Sequence, residues 1–199
     1  MAQVRGQWLE VLVRTLRQQD LWGVVEQSAP VATKTALARL DPAIWYEEQH
    51  ELAIYSGLAS ARGLSTVRNV GRHLARNALQ AAWFDGAGAI DSFRGSDPSR
   101  AFADFPRIWS LVRRDAGDLR CVETETRHAV TELRSFRYSA HVPWCEAWLG
   151  QHEGLLRHLR HAGHAGREVV ANSEFILRTR TRWAGALSGV PTGGFRTSP

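Results

Sequence analysis

The hydrophobic period of this chain changes near residue 117, and that change restricts the architectures open to it. Upstream, Val4, Trp8, Val11, Leu12 and Leu16 recur at three- and four-residue spacing, as do Val67, Val70, Leu74, Ala78 and Leu79. That spacing places each set on one stripe of a helix. Downstream, Leu119 to Glu125 and Arg127 to Phe136 alternate as strands do, and the short link Thr126-Arg127-His128 predicts a hairpin. Residues 142–162 return to the helical period, with Trp144, Trp148, Leu155, Leu156 and Leu159 on one side, until Gly163 and Gly166 end the run. Val169 to Ala171 then reads as a strand, Asn172-Ser173 as a tight turn, and Phe175 to Trp183 as the last strand.

The predicted fold class is therefore α+β, with N-terminal helices packed on an antiparallel sheet built as ββαββ. The helical half covers residues 4–113 and the ββαββ half 117–183, together a single domain of residues 1–183. In the helical half, residues 4–19, 20–29 and 31–40 read as helices, and Pro30 breaks the second run. Asp41-Pro42 has the chemistry of a helix start and predicts a helix carrying Ile44, Trp45, Leu52 and Ile54. Residues 64–84 predict another, in which Gly71 implies close approach of a neighbour. Residues 85–99 read as an irregular connection, and Phe102 to Val112 as a short apolar helix. In the last strand Phe175, Leu177, Thr179, Thr181 and Trp183 share a core face, while Ile176, Arg178, Arg180 and Arg182 share a solvent face. Residues 184–199, poor in large apolar groups, predict a disordered tail.

At 199 residues the chain needs neither disulfide nor metal to bury a core. Its two cysteines, Cys121 and Cys145, read as reduced thiols of a cytoplasmic protein. The N-terminus lacks an apolar signal core and no stretch approaches the ~20 apolar residues of a membrane span. The net charge of +5 comes almost entirely from arginine, Lys34 being the sole lysine. These arginines alternate with Asp and Glu along the chain, which argues against a dedicated nucleic-acid face.

Few residues suggest chemistry. His158, His161 and His164, with His152 upstream, have a spacing that can ligate a divalent metal on a helix, but Arg157 and Arg160 lie among them and disfavour a cation. Cys145, near a helix start and four residues after His141, is a candidate nucleophile, or else a small apolar core residue between Trp144 and Trp148. Gly86-Ala87-Gly88-Ala89 lacks the Lys and Ser/Thr of a phosphate loop. The row Arg178, Arg180, Arg182 reads as a solvated face, or as an arginine-rich edge that resists further pairing. Trp109, Trp144, Cys145 and Trp148 are the candidate lining of an apolar ligand pocket between helices and sheet.

Pro42-Ala43-Ile44-Trp45, Gly71-Arg72, Phe105-Pro106-Arg107-Ile108-Trp109, the hairpin, and Trp144 through Gly150 to Gly154-Leu155-Leu156 follow in an order that carries a resemblance. Over roughly residues 5–183 the chain resembles an uncharacterised myxobacterial family, a domain of unknown function of about this length. That family is similar in turn to the vinyl-reductase, heme-NO-binding and TRAPP small-subunit fold. The resemblance implies N-terminal helices on an antiparallel sheet split by one long helix. It also implies a choice among binding small hydrophobic molecules, carrying acyl groups, sensing ligands and dimerising. A heme-binding member would show Tyr-x-Ser-x-Arg and a helical axial His. Arg137-Tyr138-Ser139-Ala140-His141 does not supply the motif, and His73 reads as structural. The expectation is thus a non-enzymatic small-ligand-binding or regulatory interaction domain without a cofactor. The alternatives are a homodimer formed through the N-terminal helices, with Trp8 and Trp22 exposed in the monomer, and an enzyme using Cys145 or the His cluster.

Overall fold

A computed structural model describes residues 1–81, 93, 97–168, 170 and 175–186. The chain opens with a short strand, β1 (Gln3–Arg5), then α1 (Gly6–Gln18), α2 (Trp22–Ser28), α3 (Val31–Ala38) and β2 (Trp45–Glu47). Next come α4 (Gln49–Arg62), α5 (Leu64–Leu79), α6 (Pro98–Val112) and β3 (Arg113–Arg114). The last part is β4 (Asp118–Glu125), β5 (His128–Arg134), α7 (Val142–His158), β6 (His161–Glu168) and β7 (Ile176–Ala186). This is the expected α+β class, with N-terminal helices followed by ββαββ.

Two sheets form where one was expected. The larger runs β4-β5-β7-β6 and is antiparallel throughout, while β1 lies between β2 and β3 in a small three-stranded sheet. The small sheet corrects the Asp41-Pro42 prediction. Asp41 Oδ1 accepts from the Ala43 amide at 2.8 Å and closes a local turn, Trp45 to Glu47 pair with β1, and the helix waits until Gln49. The β4–β5 hairpin falls where the alternation put it, with a bulge that leaves Val122 without a β5 partner.

α7 ends at His158 rather than 162, and His161–Glu168 is a strand. The predicted strand Val169 to Ala171 and turn Asn172-Ser173 fall outside the described residues except Val170, which belongs to no element. β7 is interior, between β5 and β6, which overturns the edge-strand reading of its arginines. Phe175 precedes β7 and is exposed, so the core face begins at Leu177 and continues through Thr179, Thr181 and Trp183. The irregular connection at 85–99 falls largely outside the described residues. Asp97 there caps α6 by accepting from the Ser99 amide, with Pro98 opening the first turn.

α7 is buried almost all round from Trp144 to Leu156 because it lies between α5 and the large sheet. At the α5–α7 crossing the two backbones touch. A Cβ on Gly71 would strike the Ala147 carbonyl oxygen, one on Gly150 the Arg68 carbonyl, and one on Gly154 the Arg72 carbonyl. On its other face α7 meets two inward threonines of the sheet. Trp148 Nε1 donates to Thr179 Oγ1 at 3.1 Å, and Thr131 Oγ1 lies 3.0 Å from His152 Nε2.

Candidate functional site

The seam between the helices and the large sheet brings together three of the four predicted pocket residues. Trp144 and Trp148 stack at 5.6 Å, and Trp109 meets Trp148 edge to face at 5.4 Å and Trp144 at 6.2 Å. Phe105 stacks on Trp148 at 5.4 Å, and Phe136 packs on Trp144 at 4.5 Å. One turn of α7 separates Trp144 from Trp148, so both rings lean onto the same side. Cys145 is turned elsewhere, its Sγ 3.2 Å from the Ser139 carbonyl.

Arg113, not singled out by sequence reasoning, sits at the centre of this seam. Its guanidinium carbon lies 5.7, 5.3 and 5.9 Å from the ring centres of Trp8, Trp109 and Trp144. Its Nη1 donates to Glu48 Oε1 at 2.7 Å and Glu51 Oε2 at 2.5 Å, and Nη2 donates to Glu51 Oε1 at 3.0 Å. Glu51 Oε1 also accepts from Trp8 Nε1 at 2.9 Å and Tyr55 Oη at 3.2 Å. All of these side chains are buried. Trp8 is thus a core residue, only 5% exposed, and Trp22 is half-buried, which removes the exposed tryptophan face expected for a dimer through the N-terminal helices.

The carboxylates are unequally served. Glu51 is fully bonded, while Glu48 Oε2 and Arg113 Nε are buried without partners. Burial raises the Glu48 pKa to about 7, opposed by Arg113 and assisted by Glu51. Burial likewise disfavours the Arg113 charge, but Glu51 and Glu48 outweigh it and hold the guanidinium ionised.

The space left in the seam is small. One cavity of about 30 Å³ is lined by Trp8, Phe93, Phe105, Ile108, Gln151 and Leu155 among others. A second, of about 20 Å³, lies between Trp8, Trp109, Arg113, Trp148 and Gln151. Each has room for about one water.

The other candidates are dispersed. Cys145 is a buried thiol, its pKa pushed to about 11 by burial. His141 does not serve it, because His141 caps α7 by accepting from the Trp144 amide and lies 3.0 Å from Ser56 Oγ. His158 ends α7, whereas His161 and His164 stand on β6, so the three do not share a helix face. His161 lies 3.1 Å from the Ala184 carbonyl, and His164 is 2.9 Å from Glu153. Among the described residues the group within metal-ligand reach is Glu123, Glu125 and His128. The hairpin brings these exposed glutamates to His128, whose Nε2 lies 2.5 Å from Glu123 Oε1. Two members of the arginine row are paired: Glu132 joins Arg178 to Arg134, and Arg180 meets Glu168 and Glu123.

No family model matches the chain, and no curated protein matches it. Solved structures do. An Fe(II) unliganded H-NOX protein from K. algicida superposes with a TM-score of 0.64 at 11% identity, over 92% of this chain and 98% of that one. An oxygen-binding H-NOX domain related to soluble guanylate cyclases gives 0.63 at 14% identity, over 94% and 98%. A heme protein with protein-induced porphyrin distortion gives 0.61 at 15% identity, over 89% and 99%. The chain has an H-NOX-like fold.

Two of these neighbours are described by their iron or heme, so the residues here can be tested against that group. A ligand of that size occupies a pocket of several hundred Å³, and the seam offers about 30 and 20 Å³. Its iron would take His, thiolate, Met or Tyr. No histidine occurs between His73 and His128. His152, the histidine in the aromatic stack, has Nε2 on Thr131 and Nδ1 on the Trp148 carbonyl, and burial lowers its pKa to about 4. Cys145 is held as a thiol, Tyr55 is committed to Glu51, and the sole methionine is the exposed Met1. The seam, as its described residues fill it, does not fit a heme.

Proposed function

We propose that the chain is a non-enzymatic regulatory interaction domain, working in the cytoplasm as one unit whose end moves from the expected 183 to Ala186, where β7 stops, on an H-NOX-like scaffold whose seam is filled by its own side chains. The observation that carries this reading is the Arg113 guanidinium enclosed by three indoles and two carboxylates. It stands in the seam where the resemblance led to the expectation of a ligand. The neighbours' heme and oxygen chemistry supports a sensory ancestry for the scaffold, while the packing supports a form that dispenses with the group.

Titrating the purified protein with hemin tests this. The expected outcome is no saturable binding, and native mass spectrometry should give the bare chain. One-to-one heme uptake would overturn the reading.

The small-ligand alternative is favoured by a specific observation: Gln151 lines both cavities, and its buried Nε2 has no hydrogen-bond partner. Such a ligand would be a neutral acceptor of very few atoms. Co-purification of a larger hydrophobic molecule would contradict the cavity size.

A further inference from the structure

We propose that Glu48, Glu51 and Arg113 form a buried proton-binding site that couples the small sheet to the indole-lined seam. This inference does not depend on the proposed function. It stands on the geometry: two carboxylates converge on one guanidinium nitrogen, at 2.7 and 2.5 Å, in a region closed to water. With both ionised the triad carries a net negative charge in the core. Burial of unmatched charge is so unfavourable that a group takes up a proton instead.

The proton belongs on Glu48. Glu51 accepts from Arg113 through both oxygens, and from Trp8 and Tyr55, four donations that leave neither of its oxygens bare. Glu48 has one such contact and a bare Oε2. The charged and titratable groups facing Glu48 are Arg113 of β3, Glu51 of its own helix and Arg137 of the segment before α7. Tyr55 faces the triad through Glu51, and its phenol is held neutral, its pKa raised by burial and by that carboxylate. The resulting transition lies near pH 7.

The site is placed to have an effect. Glu48 joins β2 to α4, and its amide donates to the Ala2 carbonyl at 3.1 Å. Arg113 begins β3, which pairs with β1 over only two positions. Protonation therefore alters the charge at the joint of the least extensively paired sheet, directly beside three fluorescent indoles.

The test is a tryptophan-fluorescence titration of the intact chain from about pH 5 to about pH 9. The wild type should show a transition near 7. Glu48→Gln should abolish it, Glu51→Gln should move it downward by removing the neighbouring negative charge, and His50→Gln and His141→Gln should retain it. A wild type without a transition, or one unchanged in Glu48→Gln, overturns the proposal. Should Glu48→Gln fail to fold, infrared spectroscopy of the wild type decides. A protonated-carboxyl band present at about pH 6 and lost at about pH 9 supports the site, and its absence at about pH 6 refutes it.

Discussion

Two of the sites where the protein buries acidic side chains treat them oppositely. Glu153 on α7 is met by two arginines, of which Arg68 also reaches Glu146 at 3.2 Å. Arg68 Nη2 donates at 2.6 Å and Arg72 Nε at 2.7 Å, with the Ala165 amide at 3.2 Å as a third donor. Burial alone would raise its pKa, but these donors bring it down to about 2. In the seam, Glu48 and Glu51 divide a single arginine, and Glu48 rises to about 7. Both carboxylates are themselves buried, and the sites differ in the access of their arginines to water and in the ratio of donors to carboxylates. A buried carboxylate is stabilised by the count of hydrogen bonds aimed at it, and one guanidinium does not saturate two of them.

Four substitutions probe that contrast. Arg113→Met should be the most damaging. It leaves two carboxylates buried without a cation, a loss of about 3–5 kcal/mol, read as the midpoint of urea unfolding at neutral pH.

Glu48→Gln should change the pH dependence rather than the fold. Because the folded pKa of Glu48 lies above its unfolded value of 4.5, its contribution is full below 4.5 and lost as pH rises to about 7. A shift of that size corresponds to roughly 3 kcal/mol. The advantage of the wild type over the variant, read as the difference between their urea midpoints, should fall across this window, on top of the rising slope that His152, its pKa lowered to about 4, gives to both proteins.

Glu153→Gln should act in the other direction and on the acid side. Its depressed pKa stabilises the fold above 4.5, and that stability is lost as pH falls towards about 2. The variant should lose about 2 kcal/mol at neutral pH and show a flatter acid limb in thermal unfolding. The loss is smaller than for Arg113→Met because Arg68 and Arg72 keep access to water.

Arg120→Ala sets the baseline. It removes an ion pair with Asp118 in which both partners are more than half exposed, so its effect on the unfolding midpoint should stay below about 0.5 kcal/mol.

The period change near residue 117 made the ββαββ half legible, because a hairpin and a central helix are written in contiguous residues. The core face of β7 was legible for the same reason. Other elements depended on distant partners. β1, β2 and β3 have three, three and two residues, too few for any period, and exist through pairing across forty positions or more. His161-Ala162-Gly163-His164-Ala165-Gly166 has no apolar alternation and becomes a strand only against β7. The aromatic part of the seam could be anticipated, since Trp144 and Trp148 are spaced by one helical turn. Arg113 could not, being one of 25 basic residues with nothing local to set it apart, and its glutamates lie 62 and 65 positions away. Polar networks closed over such separations leave no mark on local periodicity.

The contact between α5 and α7 has a mechanical consequence. With Gly71, Gly150 and Gly154 at the crossing, carbonyls of each helix occupy the notch that a side chain would fill on the other. Sliding α7 along α5 by one turn would bring Glu146 or Ala147 to the gap at Gly150, or in the other direction His158 to the gap at Gly154, and neither gap has room for a Cβ. Arg68 and Arg72 add ion pairs from α5 to Glu153 on α7. The two helices are thus keyed together, and a push on one end of α5 is delivered to α7 and the sheet behind it as the motion of a single bar.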